Sequence, residues 1–179
     1  MKEFENWNEL EEKEVVSITT VLPVGIYPAK IVAVKDVVEK EYLEVKFDIA
    51  KGEYTDFFKK NMFNGEWPNQ GIYRVSYKDN EYVRQLFRGF ITAIQKSNQN
   101  YVWNWNEQSL VGKYFIVVMG EEEYLSKDGD VKVAIKPRQA RSIEAYQKGD
   151  VKLLPLKKLK KQEDKPAISA EELLGDLPF

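Results

Sequence analysis

Residues 41–52 read "EYLEVKFDIAKG". Leu43, Val45, Phe47 and Ile49 alternate with Glu44, Lys46 and Asp48. Successive side chains of an extended chain point to opposite faces, so this pattern predicts a strand buried on one side and wetted on the other. Gly52 closes it. Upstream, "LPVGIYPAKIVAVKDV" (22–37) opens on a Pro23-Val24-Gly25 turn signal and runs apolar and β-branched, which predicts a strand over about 25–35. Downstream, "YTDFFKKNMF" (54–63) reads as a third strand joined by a short turn.

The texture then changes. "NGEWPNQGIYRVSYKD" (64–79) is turn-rich and polar, yet carries Trp67, Tyr73 and Tyr77. In "DNEYVRQLFRGFITAIQKSN" (79–98), Val83, Leu86, Phe87, Phe90, Ile91 and Ile94 follow the spacing of one buried helical face. Asp79 or Asn80 can cap its start, and Asn98 and Asn100 break its end. "YVWNWNEQ" (101–108) is a short aromatic segment of undecided type. "GKYFIVVMG" (112–120) is a buried strand, Asp128-Gly129 a hairpin turn, and "VKVAIKPRQARSI" (131–143) a last strand that Pro137 marks as an edge or bulge.

Three strands, a helix and two more strands predict a mainly β fold: a five-stranded Greek-key barrel of the OB type with one helix between strands 3 and 4. An open α+β sandwich is the competing architecture. The expected organisation is an acidic lead-in (1–20), the barrel domain (21–148), a basic linker (149–170) and a short tail (171–179).

The chain has 179 residues, 31 % charged and 13 % aromatic, with a net charge of −2. It has no Cys and no His, which removes disulfides, zinc fingers, thiol nucleophiles and histidine-containing triads. No apolar run reaches the roughly 20 residues needed to span a bilayer. "MKEFENWNELEEKE" lacks the apolar core of a signal peptide, so a cytoplasmic protein with no membrane partner is expected. Residues 1–19 hold six acids and two bases, whereas 20–148 hold nineteen bases and seventeen acids. The middle of the chain can therefore take an anionic ligand.

Enzymatic signatures are few. There is no phosphate-binding Gly-rich loop and no Gly-x-Ser-x-Gly. Glu121–Glu123 and Asp128–Asp130 suit a strand end and a turn. Asp36 followed by Glu44-Val45-Lys46 matches the acid…acid-x-Lys pattern of Mg²⁺-dependent nucleases and is the one catalytic alternative. Binding is better supported, and no cofactor or metal is expected. Single-strand binders combine cations for phosphates with rings for bases. Here Phe57, Lys59 and Lys60 lie together. So do Trp67, Tyr73, Arg74, Tyr77 and Lys78. Trp103 and Trp105 follow, and the last strand carries Lys132, Lys136 and Arg138. Lys46 sits on the wetted face of strand 2. In an OB-type barrel the ligand crosses strands 2 and 3 between two loops, which here hold Lys40 and Tyr42, and Tyr124 and Lys127.

The end of the chain, "EELLGDLPF" (171–179), resembles the tails of bacterial and phage single-stranded-DNA-binding proteins, which finish on acids, Ile or Leu, Pro and Phe. The body around "LPVGIYPAKIVAV…EYLEVKFDIAKGEY" also resembles small OB-fold proteins of phages and prophages of Gram-positive bacteria. The resemblance implies sequence-tolerant coating of single-stranded DNA in phage replication and recombination, with possible homo-oligomers. It also implies a tail whose Asp176, Leu177, Pro178 and Phe179 recruit replication and recombination proteins. An apolar pocket rimmed by Arg or Lys could hold the ring and α-carboxylate of Phe179 together. Asp176 stands alone where the bacterial tails carry a run of acids, and the linker is short and Lys-rich ("KLLPLKKLKK", 152–161). A protein-interaction adaptor without DNA binding is the remaining alternative.

Overall fold

The computed structural model describes residues 20–160. The lead-in with Phe4 and Trp7, and the tail with Asp176, Leu177, Pro178 and Phe179, lie outside the described residues. The chain forms β1 (Gly25–Val37), β2 (Tyr42–Ile49), α1 (Phe57–Lys60), β3 (Ile72–Ser76), α2 (Glu81–Ser97), β4 (Tyr114–Leu125), β5 (Val131–Arg141) and α3 (Ile143–Gln147). The fold is mainly β. The strands make one antiparallel sheet in the order β3-β2-β1-β4-β5.

The centre of the sheet is β1, which serves two neighbours and carries one irregularity. Its first half pairs with β4, from Gly25 opposite Met119 to Lys30 opposite Tyr114. Its second half pairs with β2, from Ala29 opposite Ile49 to Val37 opposite Tyr42. Within the pairing to β2, Val32 is an extra residue, exposed while Ile31 and Val34 are buried. Such a bulge bends a strand and increases its twist, curling the sheet around its contents. The predicted burial of Leu43, Val45, Phe47 and Ile49 holds, but Asp48, expected on the wetted face, is buried too. The rings of Phe47, Phe58 and Phe115 meet edge to face at 5.4 and 5.8 Å in the core. Edge-to-face contact sets the positive rim of one ring against the negative face of the next.

Helix α2 begins where predicted. The Asn80 side chain accepts N–H bonds from Tyr82 and Val83, satisfying two otherwise orphaned donors. Phe90, Ile91, Ala93 and Ile94 are buried against the sheet. Leu86 departs from the expected buried face. It is 55 % exposed, because the first turns of α2 overhang a cavity between the edges of β3 and β5.

Two expectations are corrected. Residues 54–63 are not a strand; the third strand is Ile72–Ser76. The buried Asp48 carboxylate accepts N–H bonds from Ile49, Phe58 and Lys59 at 2.9, 2.9 and 3.0 Å. Asp56 turns the chain with a φ of 60°. Together they wind Phe57–Lys60 into a helical turn that drops Phe58 into the core. The basic segment from 149 also does not start as a free linker. Val151 is buried with Ile116 and Val118 in a second small cluster on the outer face of β4, with Ile26, Ile143 and Leu154 packed around it. Lys157 then bridges in parallel to Glu122 of β4. β4 is therefore apolar on both faces, which is why "FIVVM" is a continuous run rather than an alternation. Two short helices, α1 and α3, join the one expected. No helix among the described residues is long and apolar enough to cross a membrane.

Candidate nucleic-acid interface

The connection from α1 to β3 and the β4–β5 hairpin face each other across a groove of about 1410 Å³. Its near wall is Lys60–Phe63, Glu66–Gln70 and Ile72–Arg74; its far wall is Glu122, Tyr124 and Val133–Pro137. The near wall is built by local chemistry. Asn64 and Gly65 both have positive φ, at 50° and 74°, and Phe63 and Glu66 exchange backbone hydrogen bonds across them. This is the two-residue turn that Asn-Gly favours, since both positions need a left-handed backbone. It leaves Phe63 78 % exposed at the groove mouth. Gln70 locks the wall to the start of the sheet, accepting from the Leu22 N–H and donating to the Leu22 carbonyl at 2.8 and 2.7 Å.

Trp67 lies on Gly71. Its indole N–H donates to the Gly71 carbonyl at 3.1 Å. A Cβ at position 71 would sit 2.6 Å from the Trp67 nitrogen and 2.7 Å from the Phe58 ring. Gly71→Ala should therefore push Trp67 out of place and destabilise the protein by about 1–3 kcal/mol. A lower denaturation midpoint with a shifted Trp emission maximum checks this.

Tyr73 closes the floor beneath β3. Burial pushes its phenol up to about 12, and its ring packs 5.7 Å from that of Phe90. Arg74 points outward, 3.7 Å from Glu44 and 3.3 Å from the Asn69 side-chain oxygen. On the far wall the Lys136 ammonium stands 5.9 Å from the centre of the Tyr124 ring. The groove so presents Lys60, Arg74 and Lys136 among Phe63, Trp67, Tyr73 and Tyr124, with Glu66 and Glu122 as its acids. Glu122 is answered by Lys157 at 3.7 Å.

Of the residues singled out from sequence, Lys60, Trp67, Tyr73, Arg74 and Lys136 come together here. Lys46 flanks the groove, opposite Ile72 in the ladder, and Tyr42 sits further along opposite Ser76. Lys40, Lys59, Lys78, Lys127 and Lys132 are exposed cations around the body. Phe57 is different. It packs edge to face on Tyr54 and Phe58, so it fills structure rather than offering a face for stacking. Arg138 is the extra residue where the β4–β5 register shifts beside Pro137, and its guanidinium donates to the carbonyls of Glu121 and Pro155. It staples the C-terminal segment to the sheet. Phe63 was not among the sequence candidates; the Asn-Gly turn after it was the available signal.

Tyr77, Trp103 and Trp105 gather elsewhere, around a cavity of about 660 Å³ beside α2. The Tyr77 hydroxyl donates to Asp36 at 2.7 Å, and this bond holds its phenol up at about 12. The nuclease pattern is not assembled. Asp36 pairs with Leu43 in the ladder and Glu44 with Lys35, which places the two acids on opposite faces of the sheet. Among the described residues no group of three potential metal ligands occurs. No protein-family model matches the chain, and no curated protein matches it.

Proposed function

We propose that this protein binds single-stranded DNA, without strong sequence preference and without catalysis, in the groove between the α1–β3 connection and the β4–β5 hairpin. The carrying observation is that three cations and three aromatic rings, Phe63, Trp67 and Tyr124, from separate elements line one open groove above the packed Tyr73. Cations answer phosphates and rings answer bases, and neither reads sequence strongly. The architecture supports an OB-type barrel. β1 is flanked by β2 and β4, and α2 lies between β3 and β4 in the chain. The edge strands β3 and β5 face each other across a cavity that α2 overhangs. The groove then runs beside β2 and β3, where ligands of such barrels lie. The resemblance to phage and prophage single-strand binders points the same way.

Titrating intrinsic Trp fluorescence with oligo-dT at low and high salt, with a gel shift and a duplex control, tests the proposal. Binding to the single strand alone, weakened by salt, is expected. Silence in both assays overturns it. The same reading assigns Asp176, Leu177, Pro178 and Phe179 to recruitment of replication or recombination proteins. Removing residues 171–179 should leave oligo-dT affinity unchanged or higher while abolishing capture of such partners. A loss of DNA affinity in that variant counts against the tail assignment.

A further inference from the structure

We infer that the cavity beside α2 is a second stacking subsite for the same single strand, extending its path beyond the groove. This rests on the groove reading and deepens it. The cavity brings Tyr77 from the end of β3 together with Phe87 of α2 and Trp103 and Trp105 from the loop that follows. Phe87 and Trp103 stand 6.2 Å apart, and Trp103 and Trp105 6.0 Å apart, forming one aromatic row. The Trp103 backbone N–H is tied to the Gln95 side chain at 2.8 Å, which fixes the row to the helix.

Trp105 ends the row 82 % exposed, on a left-handed backbone with a φ of 63°. A bulky residue in that region is an outlier that costs of order 1–3 kcal/mol. Exposing an indole forgoes a further burial gain. Flanking side chains hold the loop in this state: the Asn106 N–H donates to Asn104 and the Gln108 N–H to Asn106. The chain is thus built to present a ring to solvent.

Two features select a nucleic-acid strand as the occupant. Arg84 and Arg88 line the cavity one helical turn apart, within reach of a backbone that follows the rings. The cavity and the groove also lie at opposite ends of β3. Arg74 lines one and Tyr77 the other, three residues or about 10 Å apart. That is the length of about three stacked nucleotides. Asp36 and Glu107 also line the cavity, so its cations and acids balance. Stacking rather than charge should dominate at this subsite.

Binding of oligo-dT short enough to fill only the groove, and of a strand long enough to reach both sites, separates the two. Trp105→Ala should leave short-strand affinity unchanged and weaken the long strand by about 5- to 150-fold, the loss of one stacked base. Its salt dependence should stay that of the unaltered chain. Trp105→Gly, which relieves the backbone strain, should weaken the long strand in the same way while melting no lower than the unaltered chain. Equal long-strand affinity in the variants and the unaltered chain overturns the inference and leaves the groove standing. Failure of the unaltered chain to bind either length overturns both. Quenching of Trp105 by the peptide EELLGDLPF but not by the strand assigns the cavity to a protein ligand and overturns the inference as well.

Discussion

Replacing Lys60, Arg74 and Lys136 together by glutamine lowers oligo-dT affinity about a hundredfold at about 0.1 M salt, because each phosphate contact on a single strand contributes about 0.7 to the slope of log K against log salt. Three lost contacts should flatten that slope by about 2. The slope is the more discriminating measurement. A variant that merely loosened the fold would lose affinity at every salt concentration in proportion. Arg74 carries an extra consequence, since its loss leaves Glu44 facing the strand without its partner at 3.7 Å. Of the three single replacements, Arg74→Gln should therefore cost most. An unchanged slope in the triple variant would remove the phosphate path from this groove.

The largest expected effect on stability belongs to Asp48. Its carboxylate is buried and accepts three backbone N–H groups, two of them at the start of α1. Asp48→Ala leaves those donors without their acceptor, each costing about 1–3 kcal/mol where buried. A total of about 3–5 kcal/mol is expected, a fall in melting temperature of roughly 10 °C or more for a body of this size. Asp48→Asn should lose less, because one oxygen still accepts while the amide nitrogen opposes a remaining N–H. The loss should also reach function. Without α1, Phe58 loses its seat and Trp67 its backing, so affinity in Asp48→Ala should drop even at temperatures where the sheet persists. Calorimetry and the oligo-dT titration on one sample check both halves.

The parts of this fold legible in the sequence are those whose partners are local. β2 announced itself by alternation, α2 by its 3.6-residue period and its Asn cap, and the β4–β5 turn by Asp-Gly. The third strand was misplaced for a tertiary reason. "DFFKKNMF" carries an apolar pair that suits a strand, and only the distant Asp48 makes it a helical turn. The real strand, "IYRVS", has five residues set among turn formers, too few for alternation to stand out. The candidate interface was half legible. Residue type nominated cations and rings, but it could not say that Phe57 packs inward, that Arg138 is spent on two carbonyls, or that Tyr77, Trp103 and Trp105 collect in a cavity of their own. Those outcomes depend on a bulge, a turn and a helix packing, each set by residues far apart in the chain.

The apolar outer face of β4 has a bearing on how the protein is made. Its cover is the stretch from Ile143 to Lys157, which is synthesised after all five strands. Until that stretch has left the ribosome, Ile116 and Val118 stand open on a sheet that can otherwise already pair. At synthesis rates of about 5–20 residues per second, this interval lasts on the order of one to a few seconds. Over that time a nascent chain carries a sticky patch, and a chain ended at Gly149 would keep Ile143 over it but lose Val151 and Leu154, leaving part of it open for good. The few residues of "VKLLPLK" thus decide whether the chain is released clean or prone to cling to its neighbours.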